Sequence, residues 1–157
     1  MIGNGYIFCR PSGAMGLGHV GGAFQLQNGL YRCFGTENPT GGAWVPAAQK
    51  GFWVEDHGAE AVVSCFKKSR KYGTIICPPY NFYKIMTQQN PDYNKALQTL
   101  DWCGQQDYLI ASVGKARTCE DDVCDTLSAY GLWMPWTITY PAPNAWFGVI
   151  AAQLYTV

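Results

Sequence analysis

Apolar residues fall in short blocks separated by glycine, proline and asparagine, the pattern of several strands and a few short helices. Tyr6-Ile7-Phe8-Cys9 predicts a strand that stops at Pro11-Ser12-Gly13. Residues 18–27 predict a second strand and 30–35 a third, joined at Asn28-Gly29. An Asn-Gly pair between two such runs predicts a two-residue hairpin turn. Asn38-Pro39-Thr40-Gly41-Gly42 then closes the unit as a loop. Residues 60–68 predict a short helix with Val62, Val63 and Phe66 inward. Lys67, Lys68, Arg70 and Lys71 follow as a solvated end, where cations suit the helix dipole.

Further along, residues 73–77 predict a buried strand stopped by Pro78-Pro79. The spacing of Tyr93, Ala96, Leu97 and Leu100 predicts a helix over 91–102. Residues 108–113 read as extended. Thr118 is a suitable N-cap for a helix that begins at Cys119 and buries Val123, Leu127 and Tyr130. Gly131 stands where a left-handed cap is expected. Residues 146–155 read as a last helix or strand. The whole predicts one α+β domain over 1–157, an antiparallel sheet packed against a few helices.

Composition narrows the function classes. Of 157 residues, 48% are hydrophobic and 14% charged, against roughly 25% charged in a typical soluble domain. So apolar a chain has enough to bury and is not disordered. Eleven basic residues balance eleven acidic ones, which leaves no field for nucleic acid or an anionic membrane. The uncharged stretch 126–157 is broken by Pro135, Pro141 and Pro143, so stable membrane insertion is not expected. No basic region followed by an apolar run opens the chain, and a cytoplasmic, reducing location is the expectation. The seven cysteines include no CxxC pair, and neither metal nor cofactor is indicated.

One cysteine has the surroundings of a nucleophile. Cys119 falls in the first turn of a helix, where unpaired amides favour a thiolate. Glu120, Asp121 and Asp122 oppose that, unless the helix turns them to solvent while the thiol faces the sheet. His19, in Gly18-His19-Val20-Gly21-Gly22, lies on a strand whose small neighbours admit another group. With Asn28 and Gly29 as the turn, Gln27 pairs with Leu30 and His19 faces Asn38, within reach of a hydrogen bond to the ring. A shift of one residue puts Glu37 there instead, and Thr36 is the diagonal neighbour. His57, in Glu55-Asp56-His57-Gly58, reads as a loop residue, with Glu55 and Asp56 as the donors a metal reading would use. The remaining cysteines read as packing residues, Cys77 in Ile75-Ile76-Cys77 among them.

Two segments together carry a resemblance. Gly16-Leu17-Gly18-His19-Val20-Gly21 entering a hairpin, and Thr118-Cys119-Glu120-Asp121-Asp122-Val123-Cys124-Asp125-Thr126-Leu127 before Gly131, resemble the circularly permuted branch of the NlpC-type papain-like superfamily. That branch includes lecithin:retinol acyltransferase-like proteins and YiiX-like bacterial cysteine peptidases, and its histidine strand precedes its cysteine helix. The likeness covers roughly forty residues, and Thr118 stands where the family often has Asn. It implies a papain-like fold with Cys119 as nucleophile, His19 as base and Asn38 as the third, orienting residue. The implied activity is cysteine hydrolysis of an amide bond in a peptide or peptidoglycan fragment. A lipid acyltransferase or thioesterase, or a non-catalytic binding domain, are the alternatives. The implied partner is a small peptide or acyl substrate, with Trp44, Trp53, Trp133, Trp136 and Trp146 as candidate walls of a cleft.

Overall fold

The computed structural model describes residues 1–109 and 117–157. Along the chain come β1 (Ile2–Arg10), β2 (His19–Gln25), β3 (Tyr31–Glu37), β4 (Trp44–Val45) and β5 (Gly51–His57). Then follow α1 (Val62–Phe66), β6 (Arg70–Tyr72), β7 (Ile75–Cys77), β8 (Phe82–Gln89) and α2 (Tyr93–Gly104). The chain ends with β9 (Tyr108–Leu109), α3 (Cys119–Tyr130), α4 (Pro143–Val149) and β10 (Leu154–Thr156). Six strands form one antiparallel sheet in the order β10-β8-β1-β2-β3-β5, and two short ribbons pair β4 with β9 and β6 with β7. The fold is α+β, as expected. Among the described residues no helix is long and apolar enough to cross a membrane.

Strand alternation divides the core between the two faces of the sheet. Ile7 and Cys9 of β1, Val20 and Phe24 of β2 and Phe34 of β3 turn to one face. There they meet Ala96 and Leu100 of α2, Val123 and Leu127 of α3, and Trp146 of α4. Phe8, Ala23, Cys33 and Trp53 turn to the other, under Val62, Cys65 and Phe66 of α1. The rings of Phe8 and Phe66 stack there at 3.6 Å.

The segment before His19 is fixed by the start of α4. Asn144 donates from Nδ2 to the carbonyls of Pro11 and Gly16, and its amide reaches Leu17 O at 3.0 Å. Gly18 has φ +99 and packs so closely on Asn144 that a Cβ would collide with it. Only glycine adopts that conformation there without strain.

Several segments differ from their sequence pattern, each for a physical reason. β5 and β8 are full strands of the main sheet where no strand was expected. In β5 the run Glu55-Asp56-His57 looks like a loop, yet it pairs with β3 as an edge strand. In β8 the apolar pattern is broken by Lys84, which is buried because its Nζ caps the end of α4 through Phe147 O and Ile150 O at 2.7 and 2.8 Å. β7 is not a buried strand: Ile75 and Ile76 are 45% and 63% exposed on the outer ribbon. Arg70 is no helix-end cation but a residue of β6 that pairs with Glu55. The last segment supplies both a helix, α4, and a strand, β10. Of the extended stretch foreseen over 108–113, β9 accounts for two residues, and 110–113 lie outside the described ones.

The helix read from Thr118, Cys119 and Gly131 has those bounds. Thr118 Oγ1 accepts from the Asp121 amide at 3.1 Å, and Asp121 Oδ2 accepts from the Thr118 amide at 3.0 Å, a reciprocal capping box. Gly131 closes the helix at φ +110. Thr118→Ala should therefore destabilise the protein by about 1 kcal/mol in urea unfolding, and Thr118→Ser should restore most of it. Equal stability of Thr118→Ala and the parent would show that the cap contributes nothing.

Candidate active site

The β2–β3 hairpin sets what His19 meets. Leu26 and Leu30 are bonded across its end (Leu26 N to Leu30 O, 2.7 Å), and the Gly29 amide turns back to Leu26 O at 3.0 Å. The loop is thus three residues, Gln27-Asn28-Gly29, with Gly29 left-handed at φ +86 and the Asn28 side chain accepting from the Leu30 amide. An Asn-Gly pair suits this loop as well as the two-residue turn. The extra residue moves the register by one: Gln25 faces Tyr31 and Gly21 faces Gly35. Continued to the strand end, the same register sets His19 against Glu37, not Asn38.

The side chains agree. His19 Nε2 lies 3.3 Å from Glu37 Oε2. It is a charge contact and not an aligned hydrogen bond. Asn38 instead holds its own loop, donating to Gly42 O at 2.7 Å and accepting from Thr40 Oγ1 and the Gly41 amide. Its polar atoms bond within that loop, and the residue beside the His19 ring is Glu37, not Asn38. The diagonal residue, Thr36, donates to Asp122 Oδ2 at 2.7 Å and ties β3 to α3.

Both layers of the fold converge at this end of the sheet. From the α3 side, the Cys119 thiol lies near enough to His19 to help raise the pKa of the ring. From the α1 side, Tyr80 donates to Glu37 Oε1 at 3.4 Å, and its ring lies 5.5 Å from the imidazole. Arg10, at the end of β1, donates to Glu37 Oε2 at 3.0 Å and to Pro78 O. Arg10, Tyr80 and Glu37 are all but invisible to pattern reading, since they come together only through the sheet register and the β7–β8 connection. Only Glu37 had a signal, as the residue one register step away.

All these groups are buried: His19 is 4% exposed, Glu37 2% and Cys119 2%. Burial disfavours the charged ring of His19, yet Glu37 and Cys119 outweigh it and raise its pKa to about 10. Burial likewise opposes the Glu37 carboxylate, and His19 with Arg10 brings it down to about 2. At neutral pH the pair is an imidazolium beside a carboxylate.

The three acids after Cys119 do not face solvent, contrary to expectation: Glu120, Asp121 and Asp122 are all buried. Asp121 is committed to the cap and also accepts from Thr137 Oγ1 at 2.9 Å. Asp122 bonds Thr36 and also Arg117 Nε, at 2.9 Å. Glu120 is fully buried with no hydrogen-bond partner among the described residues, and burial, with Asp121 nearby, raises its pKa to about 8. Burial thus favours its neutral form.

A cavity of about 350 Å³ opens at this end, lined by His19, Glu37, Arg10, Asn38 and Tyr108, with Ile75, Ile76 and Pro78 as its apolar wall. Cys119 does not itself line it. Nor do the tryptophans: Trp146 is core, Trp53 is buried under the other face, and Trp44, Trp133 and Trp136 are exposed elsewhere.

The two shifts fix a pH signature. Glu37 contributes stability above its ordinary value of 4.5, lost as pH falls toward 2. His19 contributes stability below its ordinary 6.5, lost as pH rises through about 10. Unfolding free energy should plateau between those ordinary values and fall on both sides, with Glu37→Gln flattening both limbs. An unchanged profile in Glu37→Gln would show that the ion pair is not linked to folding.

No protein-family model, curated protein or solved structure matches the chain.

Proposed function

We propose that the protein is a cysteine hydrolase of papain-like architecture that cleaves an amide bond in a small peptide or peptidoglycan fragment. The observation that carries this reading is the buried cluster of Cys119, His19 and Glu37: a thiol at a helix start, an imidazole near it, and a carboxylate 3.3 Å from the ring's Nε2.

Each group has a role that its position suits. In the attacking pair the proton already sits on His19, and Cys119 Sγ attacks the substrate carbonyl carbon, forming a tetrahedral oxyanion. The cap occupies the amides of Thr118 and Asp121, and the Asp122 amide turns back to Thr118 O at 3.2 Å. Of the first-turn amides, those of Cys119 and Glu120 are left to hold the oxyanion. The imidazolium, stabilised by Glu37, returns its proton to the leaving amine, and water then hydrolyses the thioester. Glu37 orients the ring and keeps the proton on it, while Arg10 and Tyr80 keep Glu37 in place. The cavity's mix of backbone-rich loop (Gly13, Gly41) and apolar wall (Ile75, Ile76) suits an amide flanked by a short side chain.

Alkylation separates this reading from a non-catalytic domain. Exposure alone favours Cys124, the one thiol that is not buried. Activation by His19 predicts that iodoacetamide modifies Cys119 first at pH 7. His19→Ala should slow that reaction about a hundredfold, the low side of what a positioned acid–base group contributes. Cys119→Ala should abolish turnover in a panel of dipeptides, muropeptides and acyl esters, whose ranking fixes the acyl donor. If Cys119 reacts no faster than the other six thiols and Cys119→Ala retains every turnover, the proposal fails.

A further inference from the structure

A second cluster of reactive side chains lies four residues back along β3 from Glu37, roughly 13 Å at about 3.3 Å per strand residue. Glu55 and His57, two apart on β5, share one face of the sheet. Cys33 pairs with Glu55 across the strands and shares that face. Cys65 of α1 covers it. His57 Nε2 is 2.8 Å from Glu55 Oε2, and Cys65 Sγ is 3.4 Å from the same oxygen. One donor atom from each of the three residues lies within 4.8 Å of the others.

An imidazole nitrogen, a carboxylate oxygen and a thiol sulfur are the ligand types of zinc-class ions. Donors about such an ion, with bonds of about 2.0–2.3 Å, stand roughly 3.3–3.8 Å apart. The donor contacts of 2.8 and 3.4 Å and the 4.8 Å span of the cluster bracket that spacing. The sulfur is fully buried, while the side chains of Glu55 and His57 are 38% and 23% exposed, so an ion has a way in. Asp56, the other acid of the run, bonds Arg32 through both its oxygens and takes no part.

What occupies the cluster's electrostatic centre is a cation. Arg70 lies flat on Trp53, its guanidinium carbon 3.3 Å from the ring centroid. It places NH2 3.2 Å from Glu55 Oε1 and 3.5 Å from Cys65 Sγ.

We propose that Glu55, His57 and Cys65 form a binding site for a divalent zinc-class ion, which competes with Arg70 for the same carboxylate and sulfur. Bound there, the ion would clip α1 to the β5 edge of the sheet, apart from Cys119 and His19.

Cobalt(II) reports such a site by its thiolate charge-transfer absorption in the near ultraviolet. Titrated into the full reduced chain, one equivalent should produce that band, and zinc(II) should remove it. His57→Gln and Glu55→Gln, at partly exposed positions, should each weaken binding at least about tenfold, the least that losing even an outer-shell partner costs. Cys65→Ser should abolish the band, Cys119→Ser should leave it, and Arg70→Gln should tighten binding. Absence of the band at one equivalent, its survival in Cys65→Ser, its loss in Cys119→Ser, or indifference to both His57→Gln and Glu55→Gln would each overturn the proposal.

Discussion

The end of the sheet that carries the candidate site is organised around one buried anion, the carboxylate of Glu37. An unpaired charge at 2% exposure would cost several kcal/mol. It is stable because Arg10, His19 and Tyr80 converge on its two oxygens from β1, β2 and the β7–β8 connection. The same convergence fixes the imidazole, since the ring cannot leave Glu37 without stranding a charge. Arg10 extends the constraint to the β6–β7 ribbon through Pro78 O, and so to the apolar wall of the cavity. Orientation of the base and the shape of the pocket thus share one electrostatic origin.

The helix start on the other side of His19 is built by different means. Its acidic run, which on charge alone opposes a thiolate, is spent on structure. Asp121 caps the helix, Asp122 ties it to β3 through Thr36, and Glu120 is held near neutrality by burial.

Local signals carried much of this. The strands around His19, the helix from Cys119 and both its caps follow from patterns within a few residues, where propensity and capping chemistry act. What escaped depends on distance. The register turned on whether Asn28-Gly29 closes a loop of two residues or three, a difference of little energy locally and decisive at position 19. Arg10 and Tyr80 meet Glu37 from positions 27 and 43 residues away. The polar face of β5 read as a loop because its side chains serve one another and Arg70 instead of a core. Lys84 hid β8 for a similar reason, its charge being satisfied by carbonyls at the end of α4.

The claim on which the account rests is that Glu37 and Cys119 hold His19 as an imidazolium at neutral pH. Nitrogen-15 NMR of the histidine rings reads this directly, with His57→Gln used to assign the resonances. The account predicts that both His19 ring nitrogens keep imidazolium shifts through pH 8, and that Glu37→Gln brings the titration down toward 6.5, the ordinary value. A His19 ring that titrates near 6.5 in the parent protein, unmoved by Glu37→Gln, would contradict it.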